Sequence, residues 1–321
     1  MKRGLAAFTA GMTALYAPAL WAMEAPKAGP QPWQLGLQPS GSPTMDWITS
    51  FHDVLVWVCV VISLFVLGLL LYVAYRFRES KNPTPSTTTH HSFLEVAWTA
   101  IPIIILVAIA IPSFKLLYFA DRVEKADMTL KIIGNQWYWS YEYPDHGNFT
   151  FDATILQGKD LKKARAEAKK TKSKRPILRQ LTTSQPVILP VGKKIRLVMT
   201  SSDVLHAWAI SPLGVRLDTV PGRLNETWVE IKKPGTYFGF CSELCGSGHA
   251  YMPIEVKAVS VKEFNAWAAG AKKKFAKADT PESPVAKSAG NSVANPVANP
   301  AAKQNQPVNN SIELARKSAA Q

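Results

Sequence analysis

Two long apolar runs dominate the first third of the chain. Trp47 to Tyr75 is broken only by a few polar residues near its start, and Phe93 to Phe119 is apolar through its centre. Each exceeds the roughly 20 residues that cross a bilayer as a helix. Between them lies Arg76-Phe-Arg78-Glu-Ser-Lys81, a basic turn of the kind retained in the cytoplasm. The pair predicts a membrane α-hairpin over residues 46–120, two transmembrane helices with both outer ends outside. Trp47, Trp57, Tyr72, Tyr75 and Tyr118 fall mostly near the helix ends, where aromatic rings favour the interface. Pro102 and Pro112 fall inside the second run, where a kinked membrane helix tolerates them. Ahead of the hairpin, Lys2 and Arg3, the apolar stretch Leu5 to Leu20 and the small residue Ala22 read as a secretory signal peptide, residues 1–22. An uncleaved membrane segment is the alternative, but the stretch is short and broken by Pro18.

The period changes after residue 121. Thr129-Leu-Lys-Ile-Ile133 alternates, and Trp137, Trp139, Tyr141 and Tyr143 occupy one face at period two. Further strands are predicted over residues 186–190, 194–200, 207–210, 226–231, 236–240 and 251–256. Val191-Gly192, Pro212-Leu-Gly214, Pro221-Gly222 and Pro234-Gly235 punctuate them. Many short strands with regular turns predict an all-β sandwich or barrel over residues 121–260. Residues 261–277 predict a final amphipathic helix with Val261, Phe264, Trp267 and Phe275 as its apolar positions. Residues 278–321 are rich in Ala, Pro, Asn, Ser and Lys and cannot bury a core, so disorder is expected there.

Composition fits a membrane anchor plus one globular domain: 321 residues, 47% of them hydrophobic. The net charge of +14 raises the question of a nucleic-acid partner, and its distribution answers it. Lys159 to Arg179 holds ten Lys or Arg against two acids, so one stretch supplies +8 of the total. It has no aromatic residue on which a base could stack, and the chain reads as exported. The insertion, residues 158–180, reads as a solvated surface element.

Cysteine is scarce. Cys59 lies within the first membrane run and reads as a small apolar residue. The other two belong to Cys241-Ser-Glu-Leu-Cys245-Gly-Ser-Gly-His249-Ala-Tyr-Met252, which gathers two thiolates, an imidazole and a thioether. A disulfide is conceivable outside the cytoplasm, but so small a loop gains little by chain entropy. Soft sulfur donors beside an imidazole suit copper. Cys245, His249 and Met252 alone would make most of a mononuclear electron-transfer site. Cys241 adds a second thiolate where one copper needs only one, so the loop reads more naturally as a dinuclear copper centre. His206, in Asp203-Val-Leu-His206-Ala-Trp208, is the best candidate for the second imidazole. No Cys-x-x-Cys-His occurs, so a c-type haem is not expected in this chain.

Taken together, these residues resemble subunit II of haem–copper cytochrome c oxidase of bacterial type. The resemblance covers roughly residues 45–260 and is carried most specifically by Gly134-Asn-Gln-Trp-Tyr-Trp139, Asp203-Val-Leu-His206, Pro221-Gly-Arg-Leu-Asn225 and the copper loop. It implies a cupredoxin-like Greek-key barrel on the outer face of the bacterial inner membrane, with residues 23–45 periplasmic. It also implies a mixed-valence dicopper CuA centre bridged by Cys241 and Cys245. His206 and His249 would each bind one copper, with Met252 and the backbone carbonyl of Glu243 as axial ligands. The Glu243 carboxylate would reach a Mg²⁺ shared with subunit I; on residue type alone a plain surface acid is as good a reading. Trp137 would receive electrons from cytochrome c, although it also fits the apolar stripe of its strand. Glu142 and Asp203 match acidic docking positions and could equally be solvated charges. Glu95 would lie at the mouth of a proton pathway of subunit I. Ser92-Phe-Leu-Glu95 is also a capping box, and the two roles are compatible.

The implied activity is electron acceptance from cytochrome c and delivery to the haem of subunit I, where O2 is reduced with proton pumping. Subunit I, a third subunit and membrane lipid are the implied partners. His91 stands where the family usually has Asn, and Arg216 where many members have Lys. The basic insertion is unusual beside a docking face that is normally acidic. A thioredoxin-fold copper chaperone is disfavoured by the two membrane runs, His249 and Met252. The copper-free quinol-oxidase relatives have lost the cysteines, and nitrous oxide reductase lacks the hairpin.

Overall fold

The computed structural model describes residues 29–275, apart from residues 124 and 174. The predicted signal peptide and C-terminal tail lie outside the described residues. Helix α1 spans Pro43–Arg76 and helix α2 spans Ser92–Asp121. Both are long and apolar enough to cross a membrane. Ser42 starts α1: its hydroxyl accepts from the Met45 amide at 3.0 Å, with Pro43 in the first turn. The cap of α2 differs from the sequence expectation. His91, not Ser92, is the N-cap, its Nδ1 accepting from the Leu94 amide at 3.3 Å, while Glu95 reaches back to the His91 amide at 3.4 Å.

The β domain is two five-stranded sheets packed face to face. Strands β1 (Met128–Asn135), β2 (Tyr138–Tyr143), β3 (Phe149–Ala153), β5 (Lys194–Ser201) and β8 (Asn225–Glu230) form the first, in the order β3-β2-β1-β5-β8. The second contains β4 (Val187–Pro190), β6 (His206–Ile210), β7 (Val215–Thr219), β9 (Gly235–Cys241) and β10 (Pro253–Val259), in the order β4-β10-β9-β6-β7. The β1–β5 and β4–β10 pairs are parallel and the rest antiparallel. Period-two alternation puts Trp139, Tyr141 and Tyr143 of β2 and Ile195, Leu197 and Met199 of β5 into the core. Trp137 departs from that stripe: it sits in the β1–β2 turn, half-buried. Two strands absent from the sequence reading are β3, with Phe149, Phe151 and Ala153 inward, and β7, where Arg216 and Asp218 face out between buried Val215 and Thr219.

Helix α3 (Gly158–Lys170) lies in the basic insertion and helix α4 (Val261–Lys274) follows β10. A capping box opens α4, Ser260 accepting from the Glu263 amide at 3.3 Å and donating its own amide to Glu263 at 3.0 Å. Trp267 then packs on Tyr143, ring centroids 5.2 Å apart, and Phe275 on Phe151 at the same distance.

The membrane hairpin is fixed to one end of the sandwich. Trp228 and Thr227 of β8 donate to the Phe119 and Ala120 carbonyls at the end of α2, at 3.0 and 3.3 Å. These carbonyls would otherwise be orphans of the helix C-terminus. Ser42 donates to the Leu213 carbonyl at 2.7 Å, and Lys232 pairs with Asp46 at 2.7 Å. Both outer ends of the hairpin therefore meet the β domain on the same side.

The insertion is held more firmly than a solvated loop. Its two ends close as a short ladder, with the Leu156 amide on the Thr182 carbonyl at 2.9 Å and the Ser184 amide on the Thr154 carbonyl at 2.7 Å. Arg175 reaches the fully buried Glu255 carboxylate of β10 in a bidentate pair, at 2.7 and 2.8 Å, and donates to the Thr183 carbonyl at 2.7 Å. The Thr183 amide supplies Glu255 a further donor at 2.8 Å. Removing one partner of such a pair strands a buried charge. Arg175→Ala is expected to lower the unfolding free energy by about 3 kcal/mol, read by chemical denaturation of the full-length chain with tryptophan fluorescence. A loss below about 1 kcal/mol, the range of an exposed pair, would show that this contact does not hold the insertion down.

Candidate metal centre

The two cysteines and the nearest imidazole come from neighbouring strand ends. Cys241 closes β9, and His206 opens β6 beside it. The β6–β9 register sets Trp208 opposite Cys241, and the Ser242 amide continues the ladder onto the Ala207 carbonyl at 3.0 Å. The chain then turns through Gly246 at φ +115° and a short 3-10 turn, His249–Tyr251, before β10 begins. That turn brings Cys245, His249 and Met252 back over Cys241. The Cys241, Cys245 and Met252 side chains and His206 are all buried.

The donors form two matched halves. The two sulfurs lie 3.8 Å apart. Cys241 faces His206 Nδ1 at 3.9 Å and the Glu243 carbonyl at 3.3 Å. Cys245 faces His249 Nδ1 at 3.5 Å and the Met252 thioether at 3.5 Å. Each sulfur thus has a different nearest imidazole and a different weaker donor, with His249 also interacting with Cys241. The ligand atoms of His206, Cys241 and Cys245 all lie within 4.8 Å of one another, tight enough to hold a metal ion. Soft sulfur with imidazole fits copper.

The electrostatics favour giving up one proton before the other. Burial pushes the Cys241 thiol up, but hydrogen bonding to His206 and to the backbone of Ala207 and Glu243 outweighs it and brings the group down to about 7. Burial pushes the Cys245 thiol up, and the Cys241 charge beside it adds to the effect, to about 12. Burial also depresses His206, but Cys241 and Asp203 raise it further than burial lowers it. Metal binding must therefore displace the second thiol proton as well.

Asp203 is the main support of His206. Its carboxylate lies 2.9 Å from Nε2 and also accepts from the Gln136 and Val204 amides, each at 2.6 Å. Burial would raise its carboxyl, but these hydrogen bonds keep it below the ordinary value and hence ionised. An anion on Nε2 keeps a proton on that nitrogen, so a metal that displaced the proton from Nδ1 would find its lone pair turned toward Cys241. Sequence reasoning placed Asp203 among docking acids and did not find this role; its spacing of three residues from His206 was the available signal. Glu142, the other acid, pairs with Lys131 across β1 and β2 at 3.0 Å. Glu243 is half-buried on the loop, and Glu95 is remote, at the far end of α2.

Tryptophans and glycines close the site. Trp137 Nε1 donates to the Cys245 carbonyl at 3.2 Å and Gln136 to the same oxygen at 2.8 Å. Trp139 Nε1 donates to the Met252 carbonyl at 3.2 Å. Gly248 is required beneath Trp137, since a Cβ there would fall 2.2 Å from the ring. Arg216 donates to the Ser242 hydroxyl at 3.0 Å and steadies the loop from β7.

Two apolar helices anchoring a two-sheet β domain, with a buried cysteine pair and flanking imidazoles at the strand ends, define a membrane-anchored, cupredoxin-like protein with a site that could bind copper. Family models agree. "Cytochrome C oxidase subunit II, periplasmic domain" matches residues 128–259 and "Cytochrome C oxidase subunit II, transmembrane domain" matches residues 30–116. A probable cytochrome c oxidase subunit 2 of Rickettsia bellii is 42% identical over 244 residues, covering 76% of this chain and 86% of the relative. Cytochrome c oxidase subunit 2 of Phytophthora megasperma is 43% identical over 242 residues, 74% of this chain and 86% of that one. The crystal structure of the periplasmic domain of subunit II of cytochrome oxidase (CoxB) of Bradyrhizobium japonicum is 46% identical, with a TM-score of 0.41, and covers 48% of this chain and 99% of its own. The chain belongs to the cytochrome c oxidase subunit II family.

Two outcomes follow from the site geometry. In the metal-free chain, thiolate ultraviolet absorbance is expected to titrate in two well-separated steps, the first near pH 7 and abolished by Cys241→Ser; a single step at the ordinary thiol value would contradict the coupling. Asp203→Asn is expected to weaken metal binding by about tenfold to a hundredfold in chelator competition, whereas unchanged affinity would remove Asp203 from the support of His206.

Proposed function

We propose that this chain is the electron-accepting subunit of a respiratory cytochrome c oxidase, with a dinuclear CuA centre held by Cys241, Cys245, His206, His249, Met252 and the Glu243 carbonyl. One observation carries the reading: two sulfurs 3.8 Å apart have different nearest imidazoles and different weak donors, which suits two metals better than one. When bound, the copper pair supplies a site that takes up and returns a single electron.

The protein's own residues do the rest. Burial of Cys241, Cys245, His206 and Met252 shields most of the donor set from water, and the β6 and β9 backbones fix the spacing of His206 and Cys241, so little rearrangement accompanies a change of charge. Trp137 bridges the surface and the Cys245 carbonyl, which makes it the electron-receiving side chain for reduced cytochrome c. Electrons would then leave toward the haem of subunit I, where O2 would be reduced to water with proton pumping. Glu142 and Asp203 contribute to docking only what their local partners leave unneutralised. The Glu243 carboxylate is assigned to a Mg²⁺ at the border with subunit I, since hard oxygen donors suit that ion. Glu95, at the start of α2, is assigned to proton intake for subunit I.

Orientation rests on the loop between the helices. Arg76, Arg78 and Lys81 favour the cytoplasmic side. The β domain, joined to the opposite helix ends, is then periplasmic in a bacterial inner membrane. The same reading gives residues 1–22 as an export signal.

The test is a copper count with electron paramagnetic resonance on the purified full-length chain. Two coppers per chain and hyperfine splitting from two equivalent nuclei are expected; one copper per chain, or a blue mononuclear spectrum, would sink the assignment. Trp137→Phe is expected to keep the copper and slow reduction by cytochrome c by at least about tenfold, equivalent to about 1.4 kcal/mol of barrier.

A further inference from the structure

The basic insertion sits beside the metal loop. Its base joins the metal end of the sandwich: Ala153, just before it, pairs with Trp139, whose indole holds the Met252 carbonyl. Leu161 of α3, with Leu156, Arg179 and Gln180, lines a cavity against Tyr251, which lies between His249 and Met252. The anchoring contacts of α1 and α2 lie at the other end of the strands, beyond Ile210 and beside Trp228. The insertion is thus a fixed neighbour of the metal loop, remote from the membrane end.

Its charge is sorted. Leu161 is buried and Ala164 and Ala168 are half-buried, so this face of α3 packs inward. Lys159, Lys163 and Lys170 share the opposite face at helical spacing, with Lys162 and Lys169 beside them. All five are exposed, and none forms an ion pair with a described residue. Asp160 and Glu167 lie on the other flank. Among the acids at the metal end, Asp203 is matched by His206 and two amides and Glu142 by Lys131, while Asp152, Asp218 and Glu243 form no ion pair with a described residue. The outward face of α3 is a concentrated positive patch beside the metal loop.

We propose that this lysine face of α3 is a docking surface for an electron donor whose contact face is acidic. The inference rests on the electron-accepting role argued above and names the kind of donor it takes. Lysines on a clamped helix attract a carboxylate-rich face and repel a lysine-rich one, which changes encounter rate more than final affinity. The alternative occupant, an anionic bilayer, is disfavoured because the helix sits at the end of the sandwich away from the anchors.

The experiment uses the full-length chain in the assembled oxidase and two probes: a lysine-rich cytochrome c, and the same cytochrome with its lysines succinylated. The variant combines Lys162→Glu, Lys163→Glu, Lys169→Glu and Lys170→Glu. At low salt the variant is expected to oxidise the succinylated donor at least about tenfold more slowly than the wild type and the lysine-rich donor faster, both differences shrinking as salt rises. Equal rates with the succinylated donor overturn the proposal. Loss of binding to phosphatidylglycerol vesicles with unchanged donor rates also overturns it, in favour of the bilayer. Reduction of the metal centre by ascorbate separates the two levels of argument. A centre reducible in both proteins leaves only docking in question, whereas one that is not reducible in the wild type removes the electron-accepting role and this proposal with it. If the Glu variant fails to assemble, the corresponding Lys→Gln set gives the same readings with a smaller effect.

Discussion

Only two residue pairs join β6 to β9, Trp208 with Cys241 and Ala209 with Phe240, and the donor set depends on that short seam. It brings His206 and Cys241, 35 residues apart in sequence, into contact. Gly239 makes the seam possible: a Cβ there would lie 2.1 Å from the Ala209 carbonyl. Closing the strands this tightly leaves the site no slack. Cys245, His249 and Met252 then need only a short loop to return over Cys241, because β10 starts directly beside β9, with Pro253 opposite Phe240.

The seam also explains why the site is electrostatically biased. Two buried thiols this close cannot both ionise without a cation between them, since each charge disfavours the other and burial disfavours both. The fold offsets the first ionisation with His206 and backbone groups around Cys241, and leaves the second to be offset by any metal that binds. Asp203 extends the arrangement outward by holding the far nitrogen of His206. The turn of β1 into β2 belongs to the same unit, because the Gln136 amide binds Asp203 while the Gln136 and Trp137 side chains bind the Cys245 carbonyl. The Gly134 to Trp139 segment thus touches both the imidazole side and the loop side of the centre.

Much of this was legible in the sequence, for identifiable reasons. Donor types and loop spacing are local properties, so Cys241, Cys245, His249 and Met252 could be read as a set, and the membrane runs announce themselves by length. Strand β7 was hidden because five residues with Arg216 and Asp218 outward resemble a polar loop between Pro212 and Pro221. Trp137 was drawn into the β2 stripe because period two continues one step past the true strand start at Tyr138. The roles of Asp203 and Arg175 were not legible as such. A carboxylate holding a ring nitrogen, or a guanidinium reaching a buried acid 80 residues on, is a product of tertiary packing. Composition could mark the insertion only as charged.

That last case shows how a charged insertion can be accommodated without disturbing the centre. Most of its lysines face outward, while the cation that turns inward, Arg175, meets the Thr183 carbonyl and an acid already buried in β10, which also accepts from the Thr183 amide. Glu255 lies three residues beyond Met252, on the strand that carries the loop back into the sheet. The clamp therefore grips the same strand that sets Met252, so the insertion and the metal loop share a rigid base. A surface tied in this way keeps a fixed distance and orientation relative to Trp137, which a tethered loop would not. For a transient partner, whose productive encounters depend on arriving in one orientation, that rigidity is what turns a patch of charge into a means of selection.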